Sequence, residues 1–264
     1  MKSHLFLILF LGSFSWSSAA FAFQTFIIGG DDARIGEFPF QASIQYKHGE
    51  HFCGGTLIRS NWVLTAAHCM DISKERVEVL IGLHDRRNEI DAEKFSVKRI
   101  IKHKKYNPRE IEFDIALIEL DGHSKYEPIK LNTEDFHVSP IVPPMGWVSG
   151  WGVLREGANF LPYILQKVQL PLINFEHCNS KAGYDGKLKD HMICAGFKNG
   201  GKDSCQCDSG GPLFFIDENF QPLQIGIVSY GEGCARPHKF GVYTKVSSFI
   251  EWIDFTIRII QERE

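Results

Sequence analysis

The chain has 264 residues, of which 44% are hydrophobic and 23% are charged, and its formal net charge is −3. These values are typical of a folded protein with one large domain or two small ones, and they exclude a disordered chain. The small net charge gives no indication of a surface that binds nucleic acid.

The N-terminus has the pattern of a secretory signal peptide. Lys2 is a short basic region, Leu5–Leu11 is an apolar run too short to span a bilayer, and Ala20-Phe21-Ala22 supplies the small residues of a cleavage site. A buried strand is the alternative interpretation of the apolar run. No later apolar run reaches membrane-spanning length, so we predict that residues 1–22 are removed and that the protein is secreted without a membrane anchor.

The mature part consists of short apolar or alternating runs separated by turn residues, which is typical of an all-β sandwich or barrel. Examples are Phe38–Gln45, Trp62–Ala67, Val77–Ile81, Phe95–Ile101, Ile115–Leu120, Leu165–Leu170, Pro212–Ile216, Gln224–Ser229 and Gly241–Val246. The polar stretch Asp121–Asp135 carries few apolar residues and is interpreted as a linker between two halves.

The end of the chain has a different pattern. Ser248 and Glu251 have the spacing of a capping box, and they are accompanied by apolar residues at helical spacing: Ile250, Ile253, Ile257 and Ile260. We predict one amphipathic helix whose apolar stripe packs on the β body.

Seven cysteines in a secreted chain are expected to be mostly paired, and the odd number leaves at least one over. Two of them lie in the stretch Cys205-Gln206-Cys207-Asp208-Ser209-Gly210-Gly211-Pro212. The Cys-x-Cys pair could be a metal clip or a redox pair. Alternatively, a serine between an acid and two glycines could be a nucleophile on a tight loop.

A serine hydroxyl needs a base to take its proton, and the base is usually a histidine held by a buried carboxylate. Among eleven histidines, His68 follows an apolar run, and Asp114 opens another. Taken alone, His68 is more typical of a structural histidine, and Asp114 is compatible with an ordinary turn or cap residue. With Ser209 they have the chain order His, Asp, Ser, which is one of the known orders of a catalytic triad.

The strings around these residues resemble the chymotrypsin-like serine proteases, and within that family the trypsins. They are Ile27-Ile28-Gly29-Gly30, Thr65-Ala66-Ala67-His68-Cys69, Asp114-Ile115-Ala116-Leu117, Gly201-Lys202-Asp203-Ser204-Cys205, Asp208-Ser209-Gly210-Gly211-Pro212 and Gly241-Val242-Tyr243-Thr244-Lys245-Val246. The resemblance covers the chain from Ile27 to about Ile260.

The resemblance implies an all-β fold of two six-stranded antiparallel β-barrels and a C-terminal α-helix, with the active site in the cleft between the barrels. We therefore expect a short propeptide at residues 23–26 and a peptidase domain at residues 27–264. Within that domain, the first barrel is expected at residues 27–132, and the second barrel with the helix at residues 133–264.

The resemblance also assigns chemical roles. Ser209 attacks the scissile carbonyl, His68 transfers the proton, and Asp114 fixes the histidine tautomer. The backbone N–H groups of Cys207 and Ser209 form the oxyanion hole.

Substrate specificity is implied by further positions. Asp203 lies six residues before Ser209, where trypsins carry the acid at the base of the primary pocket. Gly231 and Gly241 match the walls of that pocket, and Ser229 lies in the strand that pairs with the substrate backbone. We predict a monomeric secreted endopeptidase that cleaves protein or peptide substrates after Arg or Lys and that protein protease inhibitors bind.

The disulfides that the resemblance implies are Cys53–Cys69, Cys178–Cys194 and Cys205–Cys234. A further bridge common in trypsins is missing at both ends, where this chain has Gly146 and Phe215.

The calcium loop of trypsins needs acids where this chain has Leu83 and Ile90, although Glu93 remains. We expect no calcium, no other metal and no cofactor.

One departure from the family pattern concerns activation. The family generates a new N-terminus at the residue equivalent to Ile27, and its amine pairs with the acid before the serine, here Asp208. Trypsinogens carry Arg or Lys before this bond, whereas this chain has Phe23-Gln24-Thr25-Phe26. We predict that a non-tryptic protease frees Ile27 and that the enzyme does not activate itself.

The second departure is Cys207, where the family has glycine. The extra thiol has three interpretations. It is a group that undergoes redox chemistry or pairs with another thiol, a substitution that tunes selectivity, or a variant without function. The leading hypothesis is an active trypsin-like protease with turnover reduced by Cys207. The alternatives are a catalytically impaired homologue that acts by binding proteins, and a redox or metal protein built on the Cys-x-Cys pair.

Overall fold

The computed structural model describes residues 29–136 and 138–263. The predicted signal peptide (residues 1–22), the predicted propeptide (residues 23–26) and Ile27 lie outside the described residues. No helix in the described part of the chain has both the length and the apolar character needed to cross a bilayer.

The first half of the chain forms a closed antiparallel barrel of six strands. Their order around the barrel is β2-β3-β4-β7-β6-β5, with bounds β2 Gln41–Tyr46, β3 His51–Arg59, β4 Trp62–Thr65, β5 Val77–Ile81, β6 Glu93–Lys102 and β7 Ala116–Leu120. The short strand β1, Asp31–Asp32, lies before them and pairs with the second barrel.

The second half forms another six-stranded antiparallel barrel, in the order β9-β10-β11-β14-β13-β12, and β12 closes onto β9. The bounds are β9 Met145–Gly150, β10 Gln166–Ile173, β11 Met192–Ala195, β12 Pro212–Ile216, β13 Pro222–Tyr230 and β14 Gly241–Lys245. The two barrels confirm the fold class that the resemblance implies.

Alternation along single strands explains how a barrel fills its own interior. In β10 the residues of one parity (Gln166, Val168, Leu170, Leu172) are buried, and those of the other parity are more exposed. Side chains of a strand point alternately to its two faces, so one face of each strand supplies the core. Closure also leaves no unpaired strand edge within a barrel.

The connection between the barrels includes the polar stretch Asp121–Asp135, which the sequence analysis interpreted as a linker, and contains one short strand. This strand, β8 at Lys130–Leu131, pairs in parallel with β13 of the second barrel. Ile129 beside it is buried.

The predicted C-terminal helix is present as α2 at Ile250–Gln261; a short helix, α1, covers Phe175–Cys178. Ile253 and Ile257 of α2 are buried against the core, as expected for its apolar stripe. The expected capping box is wrong. Ser248 lies inside a 3-10 turn, Val246–Phe249, and the N-cap of α2 is Phe249, which makes no side-chain capping bond.

Candidate active site

Neighbouring strands of the first barrel bring His68 and Asp114 together. Strand β4 ends and β7 begins at the paired residues Thr65 and Ala116, so the residues just beyond them lie at the same end of the barrel. His68 Nδ1 lies 2.8 Å from Asp114 Oδ2, and the His68 N–H donates to Asp114 Oδ1 at 2.9 Å. Both carboxylate oxygens therefore orient His68.

The second barrel completes the hydrogen bonds of Asp114, whose side chain is fully buried. The Ser229 hydroxyl donates to Asp114 Oδ2 at 2.5 Å, and the Thr244 hydroxyl donates to the Asp114 backbone oxygen at 2.8 Å. The register of β13 with β14 shifts between Val228 and Tyr230. A bulge of this kind re-aims a side chain, and here it directs Ser229 toward Asp114.

The loop before β12 carries Ser209 and is bonded across the barrel interface. The Gly54 N–H in β3 donates to the Ser209 oxygen at 2.8 Å. Gly210 follows with a φ of 81°, and a Cβ at this position would overlap Thr65 Oγ1. Glycine is therefore required next to Ser209, both for the backbone angle and for the close approach of the first barrel.

Ser209 and His68 line one groove, which also contains Tyr46, Phe52 and Ile72. In the described part of the chain, the Ser209 hydroxyl makes no hydrogen bond. The hydrogen bond between a catalytic nucleophile and its base is often long or poorly aligned until substrate binds. The arrangement places a hydroxyl, an imidazole and a buried carboxylate along the same cleft, as nucleophilic catalysis requires.

Cys207 adopts the left-handed backbone conformation that favours glycine, with a φ of 72°. Its backbone oxygen accepts a hydrogen bond from His51 Nε2 at 3.0 Å, and His51 Nδ1 lies 2.8 Å from the Ser43 hydroxyl. Burial lowers the pKa of His51 to about 4, so the ring is neutral at neutral pH. Because Nε2 donates, Nδ1 accepts from Ser43.

The two expected oxyanion donors, the N–H groups of Cys207 and Ser209, make no hydrogen bond to another group of the described residues. They are therefore available to an external acceptor. The glycine-like backbone angle accommodates the Cβ of Cys207, and the bond from His51 holds the backbone oxygen of this residue.

Asp208 is completely buried between the loop and β9. Its oxygens accept from the Gly152 N–H at 2.7 Å and from the Cys205 N–H at 2.9 Å. Burial raises the pKa of this carboxyl to about 6. No cationic side chain pairs with it in residues 29–136 or 138–263.

Asp203 and Ser209 both line a pocket of about 190 Å³. It is 3% exposed; Oδ2 accepts from the Ala235 N–H at 2.9 Å, and Oδ1 is buried without a hydrogen bond of normal geometry. Burial raises the pKa of Asp203 to about 7. A buried carboxylate with an open oxygen favours a cationic ligand, because an unpaired charge is costly in such a site.

The walls of this pocket include Ser229, Gly231 and Gly241, the positions expected from the sequence. A Cβ on Gly241 would lie 3.0 Å from Asp203 Oδ1. The glycine thus keeps the carboxylate accessible from the pocket. Tyr230 forms the rim, and its ring packs edge-on against Tyr184 at 5.9 Å.

The structure contains the three expected disulfides, Cys53–Cys69, Cys178–Cys194 and Cys205–Cys234. Cys207 is the free cysteine. The Cys-x-Cys metal or redox pair is therefore wrong, because Cys205 is bonded to Cys234. Burial raises the pKa of the Cys207 thiol above its usual range, which makes it a weak nucleophile at neutral pH.

Gly146 and Phe215, at the two positions where trypsins carry a further disulfide, are packed against other side chains. A Cβ on Gly146 would lie 2.8 Å from Leu213 Cδ1, and the Phe215 ring packs on Phe136 at 5.6 Å. In the first barrel, the Glu93 carboxylate accepts the Ser124 hydroxyl at 2.6 Å, so it has a structural partner.

Sequence reasoning did not identify His51, Thr244 or the side-chain role of Ser229. These residues contact the site from distant positions in the chain, and each has an ordinary strand context. Only the polar character of buried strand positions could have indicated them.

The comparisons with known proteins agree with this geometry. A family model described as Trypsin matches residues 27–253. Trypsin-3 of Salmo salar is 42% identical over 241 residues, which cover 88% of this chain and 92% of that protein. Suppressor of tumorigenicity 14 protein homolog of Bos taurus is 36% identical over 256 residues, which cover 91% of this chain but only 29% of that protein.

The match extends through both barrels and includes every residue of the cleft described above. Identity at this level over nearly the whole length of a trypsin, together with the two-barrel fold, establishes the relationship. The chain belongs to the trypsin family of chymotrypsin-like serine proteases.

Proposed function

We propose that this protein is a secreted serine endopeptidase that cleaves peptide bonds after Arg or Lys. The observation that carries the specificity is the Asp203 carboxylate, which is buried with an open oxygen and lines the same pocket as Ser209. A guanidinium or ammonium group supplies the missing charge and the missing donors.

In the proposed mechanism, Ser209 Oγ attacks the carbonyl carbon while His68 Nε2 takes the hydroxyl proton. Asp114 accepts the His68 Nδ1 proton in a hydrogen bond and stabilises the imidazolium that forms. The imidazolium then gives its proton to the leaving amine, and an acyl-enzyme remains. Water, activated by the same imidazole, hydrolyses the ester and restores Ser209.

The negative charge on the carbonyl oxygen is stabilised by the N–H groups of Cys207 and Ser209. This stabilisation depends on the two N–H groups being held in place before the reaction, because preorganised donors need no reorientation as charge develops. The bond from His51 to the Cys207 oxygen supports this orientation.

A panel of short peptide substrates tests the proposal. The panel has Arg, Lys, Gln or Phe before the scissile bond and is otherwise identical. We expect kcat/KM for Arg and Lys to exceed that for Gln and Phe by about 10²-fold or more. Equal rates across the panel would contradict the specificity, and no cleavage of any peptide would favour the impaired homologue.

Cys207→Gly tests the effect of the extra side chain. Because the backbone already has a glycine-like angle, we expect kcat on a short Arg peptide to rise by less than about tenfold. We expect a larger gain in affinity for a rigid protein inhibitor, because the family resemblance predicts the side chain of Cys207 on the leaving-group side of the cleft. Cys207→Ala is the matched control, since it removes the thiol but keeps Cβ. Equal rates and equal inhibitor affinities in all three proteins would refute this prediction.

We further propose that the Ile27 amine activates the enzyme by pairing with Asp208, whose buried carboxylate has no cationic partner in the described residues. A chain that begins at Ile27 is expected to be about 10²-fold more active than a chain that begins at Phe23. Asp208→Asn should remove most of this difference. N-terminal sequencing of active material is the independent check, and a start at Phe23 in fully active enzyme would contradict the pairing.

The predicted propeptide, Phe23-Gln24-Thr25-Phe26, lacks Arg and Lys, so the proposed activating protease is non-tryptic and the enzyme does not process itself. Secretion, a monomeric state and binding of protein protease inhibitors are part of the same proposal.

A further inference from the structure

Phe113, immediately before Asp114, has an unusual backbone conformation. Its φ is 53°, in the left-handed region that aromatic residues rarely occupy. Such strain persists only where surrounding contacts hold the residue in place. The contacts of Phe113 therefore bear directly on where the Asp114 carboxylate lies.

Two imidazole rings stack on the Phe113 ring. His103 of the first barrel lies at 5.2 Å between ring centroids with an interplanar angle of 6°, and His191 lies at 4.4 Å and 22°. The Phe113 N–H also donates to His191 Nε2 at 3.4 Å. His191 thus contacts both the ring and the backbone of the strained residue.

His191 belongs to the second barrel and is itself anchored there. It directly precedes β11, and its backbone oxygen accepts from the Lys245 N–H at 2.9 Å. The Asp114 segment is consequently held from the second barrel at three places: by Ser229, by Thr244 and, through Phe113, by His191.

We propose that His191 is a positioning residue for the reaction, because its neutral imidazole holds Phe113 and thereby orients Asp114 toward His68. This inference rests on the proposed serine-protease function. His191 does not touch the reacting atoms. Its effect is on the geometry of the His68–Asp114 pair.

The hydrogen bond requires a particular protonation state. Nε2 accepts only when it carries no proton, so the neutral ring must carry its proton on Nδ1. Burial lowers the pKa of His191 below its ordinary value. The nearby cations lower this pKa further, and the nearby carboxylates raise it. These groups are Glu112, Asp190, Lys189 and Lys245, and His103 with Lys105 lies across the Phe113 ring.

The sign of the pH dependence follows from the lowered pKa. A histidine whose folded-state pKa lies below its unfolded value contributes its stability above pH 6.5, the ordinary value, and loses it as the pH falls through the folded-state pKa. The bond to Phe113 is therefore complete at neutral pH and is lost in acid.

The test compares His191→Phe with His191→Gln in the chain that begins at Ile27, using a short Arg peptide. Phenylalanine keeps a ring against Phe113 but has no acceptor, whereas the glutamine oxygen can accept from the Phe113 N–H. We expect His191→Phe to lower kcat roughly tenfold with KM unchanged, because Ser229 and Thr244 still hold Asp114. His191→Gln should keep about half of the wild-type kcat at pH 8.

The pH profile of kcat separates positioning from a structural role. In the wild type, protonation of His191 should lower kcat by up to about tenfold on the acid side, in addition to the loss caused by protonation of the general base. In both variants this additional fall in kcat should be absent. His123→Phe, which removes an exposed histidine bonded to Ser60, is the matched control and should leave the profile unchanged.

The downfield proton NMR signal of His68 Nδ1 reports the bond to Asp114 without turnover and should shift in His191→Phe. If wild type fails to cleave the Arg peptide, the proposed function fails, and the NMR signal still tests the positioning. The inference is overturned if His191→Phe keeps kcat within about twofold of wild type. It is also overturned if the acid limb of the kcat profile is the same in both variants as in the wild type.

Discussion

Ser209→Ala is expected to lower kcat by about 10⁶-fold on a short Arg peptide while leaving the fold intact. The reason is that, among the described residues, Ser209 is the one serine or threonine that lines the groove together with His68. Single-turnover and steady-state rates of the chain that begins at Ile27 provide the measurement.

The double variant Ser209→Ala/His68→Ala supplies the control for this expectation. Residues that act as one unit are strongly non-additive, so the double variant should be no slower than Ser209→Ala alone. Protein inhibitors should still bind Ser209→Ala, because most of their contacts are with the cleft walls. Turnover of Ser209→Ala above about 1% of wild type would identify a different nucleophile.

Asp203→Asn is expected to lower kcat/KM for Arg and Lys peptides by about 10²–10³-fold, because it leaves the substrate cation buried without a counter-charge. Cleavage after Gln or Phe should change little. Asp217→Asn is the matched control, because Asp217 is an exposed acid in the same barrel whose carboxylate caps a turn. Retention of Arg preference in Asp203→Asn would contradict the pocket assignment.

The same variant should be more stable than wild type in alkaline solution. Burial raises the folded-state pKa of Asp203 from 3.8 to about 7, so ionisation disfavours the folded state. The penalty is absent below pH 3.8, grows as the pH rises, and is complete above about pH 7. Thermal unfolding of the unliganded proteins should therefore show a higher midpoint for Asp203→Asn at pH 8 and nearly equal midpoints at pH 4.

The sequence patterns predicted strands well where apolar residues dominate. Val77–Ile81 and Pro212–Ile216 coincide with β5 and β12. Strands β3, β9 and β11 are not among the runs named from the sequence; β3 and β9 contain glycines, which weaken a strand pattern, and β11 has only four residues. Those glycines serve the site: a Cβ on Gly54 would lie 3.0 Å from Gly211, and one on Gly150 would overlap the Asp208 carboxylate.

The chemistry of the cleft was predictable to a similar extent. His68, Asp114 and Ser209 lie in recognisable strings, and the structure brings them to one cleft. The support around them was not predictable, because Ser229 reaches Asp114 through a strand bulge and His51 reaches Cys207 across 156 residues of sequence. Contacts of this kind depend on barrel closure, which no local pattern encodes.

Cys207 illustrates why the structure was needed to weigh a departure from a family pattern. From the sequence, Cys207 in place of the family's glycine predicted a protease with reduced turnover. In the structure the residue keeps a φ of 72°, its oxygen is held by His51, and its thiol is kept protonated by burial. These features favour a working oxyanion hole over a redox role.

The most direct test of the account is covalent labelling with a fluorophosphonate, which reacts only with a serine activated by its neighbours. The chain that begins at Ile27 is treated with the probe, and the labelled residue is located by peptide mass spectrometry. We expect one label per chain, on Ser209, and none in Ser209→Ala. A folded wild-type protein that takes up no label, or a label on a different residue, would contradict the account.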